Sequence, residues 1–132
     1  MLKDKAILII EDNIFLALDL SSLVEDFNGR VVGPTGSVAE ALTYLENEEI
    51  AAAVLDCEIA DHEVTQVVMV LAEKGIPVVI HAISEPPSSV FESRPDAPIF
   101  MAPIQSRVVL ARLIDEIARR VPIPSLPQTD CG

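Results

Sequence analysis

Residues 6–13 read Ala-Ile-Leu-Ile-Ile-Glu-Asp-Asn, an apolar run that ends abruptly in two carboxylates. A second run of this kind, residues 52–58, reads Ala-Ala-Val-Leu-Asp-Cys-Glu. Continuous apolar runs are typical of strands in a parallel sheet that helices cover on both faces. Because such strands end at one edge of the sheet, we expect Glu11, Asp12 and Asp56 to converge. Clustered acids repel one another unless a cation or proton compensates them, so the pattern predicts a Mg²⁺ site with a carboxylate available for phosphoryl chemistry.

Composition narrows the class of protein. The chain has 132 residues, which suits one domain, and it is 50% hydrophobic but only 4% aromatic, with no Trp. The core must therefore consist mainly of Val, Ile, Leu and Ala. The net charge of −12 argues against nucleic-acid binding, since phosphate backbones need a positive surface. A divalent cation or a basic protein patch is the better partner.

The cysteines and the hydropathy of the chain indicate in which cellular compartment the protein is expected. The two cysteines are Cys57, at a predicted strand end, and Cys131, on the tail, so we expect no disulfide bond within the chain. A reducing cytoplasm fits this usage. No signal peptide precedes the first strand, and no apolar stretch approaches the roughly 20 residues of a membrane span. We therefore expect a cytoplasmic protein with no membrane contact.

The chain alternates predicted strands and helices. Apolar runs predict strands over residues 6–10, 30–33, 51–56, 76–80 and 98–101, and helical spacing predicts helices over 13–27, 38–47, 62–74 and 105–120. Ser37 is the expected N-cap of the second helix, after a turn over residues 33–36. Between the fourth and fifth strands, prolines leave room for only about two helical turns, so a shortened fourth helix is expected. Residues 1–120 form the predicted domain, and residues 121–132 a Pro-rich, poorly ordered tail.

This alternation, with carboxylates where the first and third strands end, resembles the response-regulator receiver domain (CheY-like) over residues 6 to about 120. The resemblance implies an α/β fold, a doubly wound, flavodoxin-like sheet of five parallel strands in the order 2-1-3-4-5, with helices on both faces. Residues 7–13 match the receiver's first-strand signature. Residues 16–20, 32–34 and 37–42 are similar to receivers partnered with HWE-type histidine kinases. No output domain follows residue 120, so the chain resembles a stand-alone receiver.

The resemblance also implies roles for the acids. Asp56 would be the phosphoacceptor, which takes a phosphoryl group from a histidine kinase or a phosphotransfer protein. Mg²⁺ would be held by Asp56, by Asp12 directly, by Glu11 often through water, and by the backbone carbonyl of Glu58. The competing interpretation is that Glu11 and Asp12 merely begin the first helix, where acids favour the helix dipole. The Glu58 side chain either points over the pocket or is a solvated loop acid.

Two positions depart from the receiver pattern. The fourth strand should end in Thr or Ser, and the fifth in Lys, but Ala82 and Ala102 stand at these positions. Each lost donor would weaken stabilisation of the phosphoryl group. Strand alternation aims His81 away from the face of Ala82, so we expect a core or surface histidine there. Ser84, two residues beyond Ala82, could replace the missing hydroxyl if the loop bends.

Two hypotheses of function follow. The first is a single-domain response regulator in a two-component phosphorelay, phosphorylated on Asp56 with Mg²⁺ but with impaired or atypical switching. The alternative is a degenerate receiver that serves as a phosphorylation-independent interaction module. An independent enzyme is disfavoured, because the sequence has no Walker A, Gly-x-Gly-x-x-Gly or Gly-x-Ser-x-Gly motif. By analogy with receivers, a homodimer through the face of the fourth helix, fifth strand and fifth helix is a further expectation.

Overall fold

Strands and helices alternate along the chain. The computed structural model describes residues 2–57, 64–82, 90, 92, 94–101 and 104–120. Within these ranges the strands are β1 (Ala6–Ile10), β2 (Arg30–Thr35), β3 (Ala52–Asp56), β4 (Val78–Ala82) and β5 (Ile99–Met101). The helices are α1 (Ile14–Asp26), α2 (Val38–Asn47), α3 (Val64–Glu73) and α4 (Ser106–Arg120).

The five strands form one parallel sheet in the order β2-β1-β3-β4-β5. This confirms the predicted doubly wound sheet of order 2-1-3-4-5. Strand β1 lies inside the sheet, and β2 forms the edge beside it. The chain then crosses to the other side of β1, where β3, β4 and β5 follow in order. In sheets of this kind, ligands bind beyond the carboxyl ends of the strands where the winding reverses, which here lies between β1 and β3.

Each strand contributes alternate residues to two apolar layers. Leu8 and Ile10 of β1 pack in a core with α2 and α3, whereas Ile7 and Ile9 pack in a second core with α1 and α4. The fully buried sheet residues of the second core are Ile7, Ile9, Ala52, Val54 and Val79. The continuous apolar strands of the sequence are thus explained by helices on both faces of the sheet.

Side-chain caps fix where two helices begin. The side-chain oxygen of Asn13 accepts hydrogen bonds from the backbone N–H groups of Phe15 and Leu16, at 3.0 and 3.2 Å. Ser37 accepts one from the N–H of Glu40 at 3.2 Å, which confirms the predicted cap of α2. Both caps satisfy donors that have no partner within the helix. The cap at Asn13 starts α1 immediately after the acidic pair.

Two predicted boundaries were wrong. Strand β2 continues to Thr35, where a turn was predicted over residues 33–36, because the carbonyl of Thr35 accepts a hydrogen bond from the N–H of Glu11 at 2.8 Å. Strand β4 spans Val78–Ala82 rather than residues 76–80. Pro77 has no N–H to donate, although its carbonyl accepts from Ala53 at 3.0 Å. Strand β4 therefore starts two residues later than predicted, and its residue His81 pairs with Asp56 at the end of β3.

Some predictions fall outside the described residues. Val90 and Glu92 are helical, and Val90 is buried in the core with α2 and α3. The rest of the predicted short helix after β4 lies outside the described residues, as does the Pro-rich tail over residues 121–132. Within the described ranges, every helix is too short or too polar to cross a membrane.

Candidate functional site

Three adjacent strands bring Glu11, Asp56 and His81 to one level at the carboxyl edge of the sheet. Ile10 pairs with Leu55, and Asp56 pairs with His81, so Glu11 follows β1 at the level of that pair. Strand alternation also gives the three side chains the same face, because each stands two residues after a residue of the α1 and α4 core. Those preceding residues are Ile9, Val54 and Val79. The three side chains are therefore brought together by the register of β1, β3 and β4 and by the alternation of side chains along each strand.

The three side chains are close and largely shielded from water. One ligand atom from each of Glu11, Asp56 and His81 lies within 4.8 Å of the others. Oε1 of Glu11 and Nδ1 of His81 are 4.0 Å apart, and the side chains are 3% and 12% exposed. Asp56 is also buried. A small cation in this space would contact groups that bulk solvent hardly screens.

Burial and like charge raise the pKa of Glu11. The pKa rises from 4.5 to about 8, first because the carboxyl group is removed from water, then because Asp56 lies beside it and Asp12 is near. The N–H of Asn13 donates to Glu11 Oε2 at 3.1 Å and opposes the rise. Without a cation, Glu11 therefore keeps a proton at neutral pH. A bound cation would favour the ionised form instead.

Two buried atoms of the cluster have no hydrogen-bond partner within the described residues. They are Oε1 of Glu11 and Nδ1 of His81, the same two atoms that face each other at 4.0 Å. Buried polar atoms are rarely left unpaired, and a metal ion is one way to satisfy them. The carboxylate oxygens fit the preference of Mg²⁺ for oxygen ligands, so Glu11 and Asp56 fit a magnesium site.

The other predicted site residues are not members of this three-residue cluster or lie outside the described residues. Asp12 is exposed, at the surface end of the loop between β1 and α1. Ala82 ends β4 and is fully buried. Glu58 and Ala102 lie outside the described residues, and so does Ser84.

His81 is the site residue that the sequence reasoning missed. Strand alternation places the His81 side chain on the face opposite to that of Ala82. Because His81 pairs with Asp56, that face is the one where Glu11 and Asp56 lie. The strand was predicted to end at residue 80, so the pairing between Asp56 and His81 was not foreseen. Aligning the end of the fourth strand with that of the third would have given the signal.

Exposed apolar side chains lie next to the acidic edge, on the first turns of α1. Ile14, Phe15 and Leu18 are 65%, 82% and 58% exposed. They follow Asn13, which caps the helix beside the cluster. Large apolar side chains grouped in this way are typical of surfaces that other proteins contact.

Solved structures share this architecture. A response regulator receiver protein from Sinorhizobium medicae has a TM-score of 0.77 and 24% identity, over 92% of this chain and all 100% of its own. A receiver domain protein (CheY-like) from Methanospirillum hungatei has a TM-score of 0.76 and 21% identity, over 87% of this chain and 94% of its own. The fold is that of a receiver domain.

A third similar structure is a receiver domain that contains a metal ion. It belongs to a sensor histidine kinase from Pseudomonas aeruginosa and is described with a magnesium ion coordinated in its active-site cleft. Its TM-score is 0.68 at 13% identity, over 86% of this chain and 98% of its own. At these identities the likeness concerns the receiver fold. No protein-family model and no curated protein matches the chain.

Proposed function

We propose that the protein is a single-domain response regulator of two-component signalling that accepts a phosphoryl group on Asp56 in the presence of Mg²⁺. The observation that carries the proposal is the meeting of Asp56 and Glu11, both buried, at the carboxyl edge of a receiver sheet. Two buried carboxylates side by side favour a cation. The receiver fold makes phosphoryl transfer the chemistry for which such an edge is suited.

Asp56 supplies the nucleophile. One of its carboxylate oxygens forms a bond to phosphorus while the bond from phosphorus to the donor's imidazole nitrogen breaks, and the imidazole leaves with the electron pair and takes up a proton. The product is an acyl phosphate on Asp56. Mg²⁺, when bound, neutralises charge on the phosphoryl oxygens. Glu11, Asp12 and Asp56 are the side chains proposed to hold it, with the backbone carbonyl of Glu58.

The donor is a histidine kinase or a phosphotransfer protein. The support is the exposed apolar group of Ile14, Phe15 and Leu18, which lies beside the acidic edge where a protein that presents a phosphohistidine must approach. An apolar contact of this kind would align the donor with Asp56 without adding charge near the acids. The protein would thus act in signalling and not on a separate substrate.

Switching in this protein would be atypical. The fully buried Ala82 has no hydroxyl to hold a phosphoryl oxygen, and Ala102 has no cation to do so. These positions also favour the second candidate function, a degenerate receiver that binds a protein partner without being phosphorylated. The two functions differ in whether Asp56 responds to a phosphoryl group.

The test is NMR spectroscopy of the ¹⁵N-labelled protein, titrated with Mg²⁺ and then with beryllofluoride, which mimics the aspartyl phosphate. We expect Mg²⁺ to shift resonances near residues 11, 12 and 56, and beryllofluoride to extend the shifts to residues 81–105. Asp56→Asn should abolish the second response. Asp26→Asn, an exposed acid at the far end of α1, is the matched control and should behave as wild type. If beryllofluoride has no effect, the protein is a degenerate receiver.

A further inference from the structure

The cluster of Glu11, Asp56 and His81 contains a donor atom that magnesium does not need. We infer that this site binds a divalent transition cation of the zinc class, with Nδ1 of His81 as a nitrogen ligand beside the two carboxylates. The inference deepens the proposed function and rests on it, since Asp56 and Glu11 would serve both. It assigns His81 a role that the receiver resemblance does not give it.

Geometry is the first support. Nδ1 of His81 and Oε1 of Glu11 are both buried, have no hydrogen-bond partner within the described residues, and face each other at 4.0 Å. A hydrogen bond between them is excluded at that separation. One ion with bonds of about 2.1 Å to nitrogen and to oxygen can span such a gap. One ligand atom from each of Glu11, Asp56 and His81 lies within 4.8 Å of the other two.

Ligand chemistry is the second support. Mg²⁺ takes oxygen ligands almost exclusively, whereas imidazole nitrogen suits Zn²⁺ and its neighbours in the first transition row. One imidazole and two carboxylates make three protein ligands, the number that zinc sites with an open position use. A phosphoryl oxygen can occupy that position. As the stronger Lewis acid, Zn²⁺ would polarise a bound phosphoryl oxygen more than Mg²⁺ does.

The local fold holds the histidine in place. His81 lies in β4, with a backbone register to Asp56 on one side and to Phe100 of β5 on the other. The carbonyl of His81 accepts a hydrogen bond from the N–H of Cys57 at 3.0 Å. The imidazole is therefore carried by a strand with neighbours on both sides, and a rigid ligand favours tight binding.

The experiment is calorimetric titration of the metal-free, full-length protein with ZnCl₂ and, separately, MgCl₂. We expect one Zn²⁺ to bind at least tenfold more tightly than Mg²⁺. His81→Phe keeps a planar aromatic ring but removes the nitrogens, and should lower Zn²⁺ affinity at least tenfold while Mg²⁺ affinity changes less than twofold. The other histidine of the sequence gives the matched control, His62→Gln, which should leave both affinities unchanged. NMR of the imidazole nitrogens should show the His81 signals shifting with Zn²⁺.

The outcomes separate this inference from the proposed function. If His81→Phe binds Zn²⁺ as wild type does, or if His62→Gln loses the affinity instead, His81 is not a ligand and the inference is overturned. The proposed function then stands if Mg²⁺ and beryllofluoride still act on Asp56. If the wild type binds neither metal, the inference and the Mg²⁺ part of the proposed function both fail. Circular dichroism of each variant checks that it is folded.

Discussion

At the scale of single residues, Ala82 is the main departure from a working receiver site. It is the last residue of β4, fully buried, and it stands where the receiver resemblance requires a hydroxyl. Its methyl group cannot donate a hydrogen bond to a phosphoryl oxygen. Asp56 and Glu11 remain, so the proposed nucleophile and the proposed metal ligands are separate from the missing donor.

Restoring the hydroxyl should therefore stabilise the phosphorylated form. We predict that Ala82→Thr tightens beryllofluoride binding about tenfold, since a fixed donor on a developing charge contributes a few kcal/mol at most. Ala82→Val is the control, because it has the shape of Thr without the hydroxyl and incurs the same cost of overpacking a buried position. Titration followed by NMR measures both. Equal affinities for the Thr and Val variants would show that the hydroxyl has no role here.

At the scale of strands and helices, the sequence predicted the architecture well but not the full site. Apolar runs and helical spacing located the five strands and the helices that the structure describes, and the receiver resemblance ordered the sheet. The acidic pair after β1 and Asp56 at the end of β3 followed from the same pattern. Only the register between β3 and β4 places His81 beside them. The predicted end of the fourth strand at residue 80 left His81 out of that pairing.

The end of β2 supports the loop that carries Asp12. Gly36 follows this strand, and a Cβ added to it would lie 2.7 Å from Cβ of Asp12 and 3.1 Å from its Cα. The absence of a side chain at residue 36 thus lets the loop after β1 pack against β2. The position of Asp12 depends on this contact.

We predict that Gly36→Ala displaces Asp12 and weakens Mg²⁺ binding several-fold, measured by calorimetry. Gly75→Ala is a useful control, because its added Cβ would meet nothing within 4 Å while its φ of +67° makes alanine unfavourable. The control should lose stability by about 1 kcal/mol and keep its metal affinity. A Gly36→Ala variant with unchanged Mg²⁺ affinity would show that Asp12 does not contribute to the metal site.

Helix α1 gives a second prediction at this scale. If the exposed Phe15 contacts the phosphoryl donor, Phe15→Ser should slow transfer from a phosphorylated histidine kinase or phosphotransfer protein at least tenfold. Phosphorylation of Asp56 by acetyl phosphate, which needs no protein contact, should be unchanged. Met69→Ser removes an apolar side chain that is 49% exposed on α3 and serves as the control. Equal slowing with both donors would place the effect in the pocket and not at a docking surface.

At the scale of the whole molecule, the protonation of Glu11 in the acidic site affects the stability of the fold. The chain carries a net charge of −12, so metal-free protein at neutral pH has no excess of positive charge to offset its buried acids. Glu11 is buried at the edge of the sheet and keeps its proton until about pH 8, whereas in the unfolded chain it ionises near pH 4.5. Between these values the folded protein binds more protons than the unfolded chain.

Stability should consequently fall as pH rises from about 4.5 to about 8, the range between the two pKa values of Glu11. One group of this kind contributes a slope of at most about 1.4 kcal/mol per pH unit. General repulsion among the other acids also changes with pH, so the comparison must be with Glu11→Gln, which mimics the protonated side chain. We predict that the two proteins are about equally stable near pH 5 and that the variant becomes the more stable one as pH approaches 8. Urea unfolding in EDTA at several pH values measures the difference.

Adding Mg²⁺ should reverse this order. A cation that binds only the folded protein stabilises it by mass action, and it binds best when Glu11 is ionised. At pH 8, saturating Mg²⁺ should therefore raise the free energy of unfolding of the wild type more than that of Glu11→Gln. If the stability difference between the two proteins does not change with pH in EDTA, Glu11 does not hold its proton in the folded state. A parallel response of both proteins to Mg²⁺ would instead show that the cation binds without Glu11.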